Sequence, residues 1–225
     1  MALLRPTNDL VLATQFPELV FPNGAEQVVP GMTVMFTFFW GRSIGESFLF
    51  EHGWQTWERL QMSFASPAQI MLGKAIPFFG LIAIQHLILF VGGGALFGLE
   101  WNGAIGGMIL VLLALNICVL MFGLMLATVM KTLAQVEAAD TLATLMFASF
   151  GGSFVPVSSL PGLAEDIAPA TPNYWALEAA RDVILEGEGL DAVLVPTLAI
   201  LGFAALFGAI VMAKFSFDAQ KDAHG

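Results

Sequence analysis

Arg42 and Glu46 lie four residues apart inside one apolar stretch, and Glu137 and Asp140 lie three apart inside another. These are the charged groups whose setting could do chemistry, because spacings of three and four put each pair on one helical face. A charge near a bilayer centre costs about 2.5–3.5 kcal/mol on insertion scales, so it faces a bundle interior or a wet cavity. Both pairs fall at similar depth in the inner half of their stretches, which predicts an inward-facing polar cluster between these two spans. The competing reading has Arg42 snorkelling to the inner interface, with the acids belonging to a loop. His86, next to Gln85, stands about eleven residues into a further apolar stretch, near the midplane. It reads either as a helix-to-helix hydrogen-bonding residue or as a proton relay or ligand.

Other chemistries are excluded by what the residues lack. Cys118 is the single cysteine, so neither an intrachain disulfide nor a thiolate-rich zinc site is possible. His52, His86 and His224 fall at different depths, and no clustered metal site is expected. The nearest approach to a phosphate-binding loop, Gly123 followed by Lys131 and Thr132, has Met130 where glycine is required. The chain is therefore expected to hold no cofactor. A net charge of −10 argues against nucleic acid, which needs clustered Lys and Arg.

The elements that must position these groups are apolar runs at 30–50, 75–98, 104–130, 133–157 and 190–214. Each approaches the roughly 20 residues that span a bilayer as a helix. Charged residues make up 12% of the chain against about 25% in soluble domains, and the fold expected is all-α, a polytopic bundle of about five spans. Arg59, Lys74, Lys131, Lys214 and Lys221 flank one side of that topology. The other side holds Arg5 and Arg181 with Glu165, Asp166, Glu178, Asp182, Glu186, Glu188 and Asp191. Positive charge marks the cytoplasmic side. Residues 1–27 are then an external segment, 28–215 the membrane domain and 216–225 a cytoplasmic tail. An external N-terminus without a signal peptide predicts a further span upstream or on another chain. Gly41-x-x-x-Gly45, Gly94-x-x-x-Gly98 and Gly103-x-x-x-Gly107 would allow close helix approach.

Two loops carry more specific patterns. In the first, Trp54, Trp57, Leu60 and Phe64 recur at helical spacing between polar residues, predicting an amphipathic helix at the inner interface. In the second, Pro156, Pro161, Pro169 and Pro172 divide an external segment into two short helices, one ending at Ile167 and one at Leu185. Helices dipping back towards the membrane need protein or water to satisfy their backbone.

At these loops the chain resembles the permeases of ABC type-2 transporters. The first carries Glu51, Gly53, Glu58-Arg59-Leu60, Ser66-Pro67 and Gly73-Lys74, with Glu51-His52-Gly53 standing where the family commonly has Glu-Arg-Glu. The second carries Pro156 to Pro161, then Pro172, Tyr174, Ala176-Leu177 and Arg181. The resemblance covers about residues 28–215 and lacks the family's N-terminal elbow helix and first span. It implies a transport subunit that is not itself an enzyme, paired with a second permease chain and resting on a cytosolic ATPase that binds ATP and Mg. Glu51, His52, Gly53, Trp57, Glu58 and Arg59 would form the coupling helix. Arg42, Glu46, His86, Glu137 and Asp140 would belong to the substrate pathway. Pro156, Ser158, Ser159, Leu160, Pro161 and Tyr174 would form the external gate. Export of a hydrophobic or amphipathic substrate across a bacterial or archaeal plasma membrane is the function implied. The alternatives are an ion- or proton-coupled carrier using His86, Glu137 and Asp140, and a membrane scaffold or immunity protein.

Overall fold

The computed structural model describes residues 24–53, 67–99, 105–159 and 162–222. In hydrocarbon a backbone has no water to bond, so apolar runs close their hydrogen bonds internally as helices. Helices α1 (Gly24–Phe38) and α2 (Trp40–Gly53) follow one another with an interruption at Phe39. Helix α3 (Pro67–Leu87) continues through a π-turn, Ile88–Gly92, into α4 (Gly93–Phe97). That helix stops at Gly98, whose φ of 71° is left-handed. Then come α5 (Ile105–Val129), α6 (Leu133–Phe150), the short external helices α7 (Leu163–Ile167) and α8 (Pro172–Ile184), and α9 (Leu194–Asp222). Among the described residues there is no strand.

Among the described residues three stretches, Gly73–Phe97, Ile105–Val129 and Leu194–Lys214, are long and apolar enough to cross a membrane. The other two expected spans differ from these in kind. The first is divided at Phe39 into pieces of 15 and 14 residues, and the fourth, α6, is 18 residues long and carries Glu137 and Asp140. Helix α5 is apolar on all sides and accordingly sits at the centre, packed against α9, α2, α3 and α8. Phe38, Phe122, Phe147 and Phe207 tie α1, α5, α6 and α9 together, with ring centroids 5.4–5.9 Å apart. Each such ring pair contributes about 0.5–1.5 kcal/mol beyond its area.

The fourth span ends earlier than its apolar pattern predicts, at Phe150 and not near residue 157. Glycine ends it, ahead of the prolines. A β-carbon at Gly151 would lie 2.5 Å from Asn173 Cβ and 2.8 Å from Thr171 Oγ1, so the start of α8 occupies the space a side chain would need. Gly152 then takes a φ of 90°, open to glycine and strained for other residues. At the other end Thr132 caps α6, its Oγ1 accepting from Gln135 N at 3.2 Å, while Gln135 Oε1 accepts from Lys131 N at 2.9 Å.

Candidate functional site

The inner half of the bundle is held by a seam between α2, α5 and α6, and glycines set its width. A β-carbon at Gly123 of α5 would lie 2.6 Å from Ile44 Cβ and 3.0 Å from Gly41 O. One at Gly45 would lie 2.9 Å from Val136 Cγ1. Gly41 and Gly45, one of the spacings noted in the sequence, therefore face α5 and α6 closely, and Gly123 completes the contact from the opposite helix.

Into this seam project the intramembrane charges. Arg42 Nε donates to Glu46 Oε1 at 2.8 Å within α2, and Arg42 Nη1 donates to Glu137 Oε1 at 2.6 Å across to α6. The Arg42 and Glu137 side chains are 43% and 52% exposed, so the bridge between helices lies at the bundle's surface, not in its core. Asp140, one turn further along α6, is fully buried, and neither carboxyl oxygen has a hydrogen-bond partner among the described residues. Its Oδ1 lies where a β-carbon at Gly41 would be. That places a carboxyl group two residues beyond the interruption at Phe39. The structure thus brings Arg42, Glu46, Glu137 and Asp140 to one seam.

His86 belongs to a different contact. Its Nε2 lies 2.8 Å from Thr37 Oγ1, joining α3 to α1. Thr37 Oγ1 also lies 2.7 Å from Thr33 O, within its own helix. One residue earlier, Gln85 Oε1 accepts from Trp40 Nε1. Lys74, the basic residue of the Gly-Lys pair entering α3, donates from Nζ to Ser47 O at 2.6 Å and lies 4.4 Å over the Phe48 ring. The start of the α3 span is thereby tied to α2 one turn before Glu51. Glu51, His52 and Gly53 form the last turn of α2. Trp57, Glu58 and Arg59 lie outside the described residues.

At the external end, Pro156 and Tyr174 border a cavity of about 20 Å³, room for one water, together with Gln27 and Arg181. Ser158 and Ser159 are exposed, and Ser159 N donates to Pro156 O at 2.9 Å. Leu160 and Pro161 lie outside the described residues. Sequence reasoning missed the residues that pin this cap. Gln27 Nε2 donates to Gly152 O at 2.7 Å, and Asn173 Nδ2 donates to Ser153 Oγ at 3.1 Å. Thr171 caps α8, with Oγ1 accepting from Tyr174 N at 3.4 Å. Thr171 before Pro172 was the readable signal, because a threonine followed by proline at the first helical position is a helix start. On α8 the Asp182 carboxyl is pushed up to about 6, first by burial and then by Glu178 and Glu186 nearby.

Fold and seam together define a helical membrane protein in which an ion pair bridges two helices at the bundle's surface. The chain belongs to the ABC-2 type transporter family, whose sequence profile matches residues 6–185. Its place there is that of a transporter's membrane subunit. Among curated proteins it is similar to the linearmycin resistance permease protein LnrN of Bacillus subtilis (strain 168), at 30% identity over 150 residues. That match covers 67% of this chain and 39% of the relative, so the chain spans about two fifths of the relative's length. No solved structure matches it.

Proposed function

We propose that this chain is the membrane-spanning subunit of an ATP-driven exporter, working with a separate cytosolic ATPase and a second permease chain in the plasma membrane of a bacterium or archaeon. ATP and Mg belong to the partner. The observation that carries the reading is the bridge from Arg42 to Glu137, because it joins α6 to the same helix that ends in Glu51, His52 and Gly53. A push received at the cytoplasmic end of α2 therefore moves α6 and, through Gly151 and Asn173, the external cap. Lys74 brings α3 into the same unit. ATP binding elsewhere shifts such an element only if the partner contacts its two states differently, and that contact is assigned to Glu51, His52, Gly53, Trp57, Glu58 and Arg59. The substrate is hydrophobic or amphipathic, in keeping with the Phe-rich helices and with a relative named for resistance to linearmycin.

The test is to co-express the chain with a candidate cytosolic ABC ATPase and measure substrate-stimulated ATP hydrolysis. Replacing Glu58 and Arg59 together is expected to abolish stimulation while membrane insertion stays intact. Retained stimulation contradicts the coupling assignment. A self-contained ion-coupled carrier has one observation in its favour, the buried carboxyl of Asp140. Uptake driven by an ion gradient in the absence of ATP would establish it.

A further inference from the structure

Because the first span is interrupted at Phe39, α2 begins within the bundle, at Trp40, with Phe38 and Gly41 buried on either side. The first N–H groups of a helix have no partner inside it, and hydrocarbon supplies no water to take their place. Ordinarily the residue just before the first turn provides a side-chain oxygen for the N–H of the second or third helical residue. Here that residue is Phe39, whose ring has no such acceptor. The second and third residues of α2 are Gly41 and Arg42.

An acceptor stands at that place on another helix. Asp140 of α6 is 0% exposed, and its Oδ1 occupies the position of a β-carbon at Gly41. The backbone N–H of Arg42 is a donor beside the carboxyl, and in this packing the two are adjacent, short of a hydrogen bond. The Arg42 side chain is engaged elsewhere, with Nε on Glu46 and Nη1 on Glu137. Glycine at position 41 makes the approach possible, because a side chain there would displace the carboxyl and would also meet Phe122 Cδ1 at 2.7 Å. A buried acceptor left unbonded is costly, so a carboxyl next to the open end of a helix gains by closing on it.

We propose that Asp140 serves as the cap of α2, supplied by α6 in place of Phe39, and that its carboxyl closing on the Arg42 N–H fixes the start of α2 against α6. The interruption at Phe39 is then a joint whose inner arm is fastened by a side chain from another helix. The position of α6 sets the angle between α1 and α2, and release of the cap frees α2 to turn about Phe39. Gly41 acquires a role beyond close helix packing, since it admits the carboxyl to the backbone. The device requires neither ATPase nor substrate and stands apart from the transport reading.

The experiment measures amide hydrogen exchange of the full chain in phosphatidylcholine nanodiscs, resolved at Gly41 and Arg42 by fragmentation mass spectrometry. Two substitutions separate capping from bulk. Asp140→Asn keeps a side-chain oxygen, and asparagine caps helices as well as aspartate does. Asp140→Leu keeps the size and has no acceptor. The Arg42 amide is expected to exchange about fivefold faster in Asp140→Leu, the scale of one lost cap, and at the unaltered rate in Asp140→Asn. Amides at the centre of α5 should not change in either variant. Equal Arg42 exchange in all three chains, exchange in Asp140→Asn as fast as in Asp140→Leu, or faster exchange that extends to α5 overturns the proposal. Should Asp140→Leu fail to insert, Asp140→Ala, which adds no bulk, is judged by the same criteria.

Discussion

Helix α5 is bordered by two contacts of opposite construction. Towards α2 it presents Gly123 to Gly41 and Ile44, and the backbones approach until no β-carbon fits. Towards α3 it presents Met108, Leu112 and Asn116 across a cavity of about 540 Å³. Without a hydrophobic force between helices in lipid, close packing and hydrogen bonds supply the association. The first contact has the close packing, and beside it the Arg42–Glu137 bridge joins α2 to α6. Beside the second, α3 is fastened at midplane depth by the Thr37–His86 and Trp40–Gln85 hydrogen bonds to α1 and α2. A narrow seam transmits displacement more directly than a gapped one.

Breaking the narrow seam is expected to have the largest effect. Gly123→Leu places a side chain where Ile44 Cβ already lies 2.6 Å from the β-carbon position, and overpacking of this kind costs about 1–3 kcal/mol or more. The monodisperse fraction in detergent should fall several-fold. Gly80→Leu on α3, where nothing lies within 4 Å of the β-carbon position, should leave it unchanged. Equal behaviour of the two variants would erase the distinction. Thr37→Val comes next, since it removes the hydroxyl that hydrogen-bonds His86 Nε2; a loss of about 1 kcal/mol is expected, read as a lower melting temperature. The smallest effect lies outside the membrane. The Asp182 pKa is about 6 in the folded state and 3.8 in the reference, so its contribution to stability is full below about pH 4 and is lost as pH rises through 6. Asp182→Asn should therefore flatten the melting temperature between those values and raise it slightly at neutral pH, and an unchanged profile would refute the assignment.

Much of this was readable before the structure. Hydropathy located α5 to within a residue at each end, because an apolar run of that length has no other stable form in lipid. The i,i+4 spacing of Arg42 and Glu46 anticipated their pairing, and similar depth anticipated Glu137 beside them. The end of α6 was not legible, because Gly151 is required by Thr171 and Asn173, some twenty residues away in sequence. Neither was the interruption at Phe39, where no proline stands. The π-turn after His86 has no local sequence mark either. What escaped reading in each case depends on a neighbour that hydropathy and spacing along one segment do not contain.

A charge exchange between Arg42 and Glu137 tests most directly whether the ionised seam carries motion from α2 to α6. ATP-driven efflux is measured in cells for Arg42→Glu, Glu137→Arg and the double exchange, with the amount of protein in the membrane determined for each. Each single reversal is expected to lower efflux at least tenfold at unchanged membrane level, and the double exchange to restore most of it. Full efflux in Arg42→Glu, or a double exchange no better than the singles, would contradict the account.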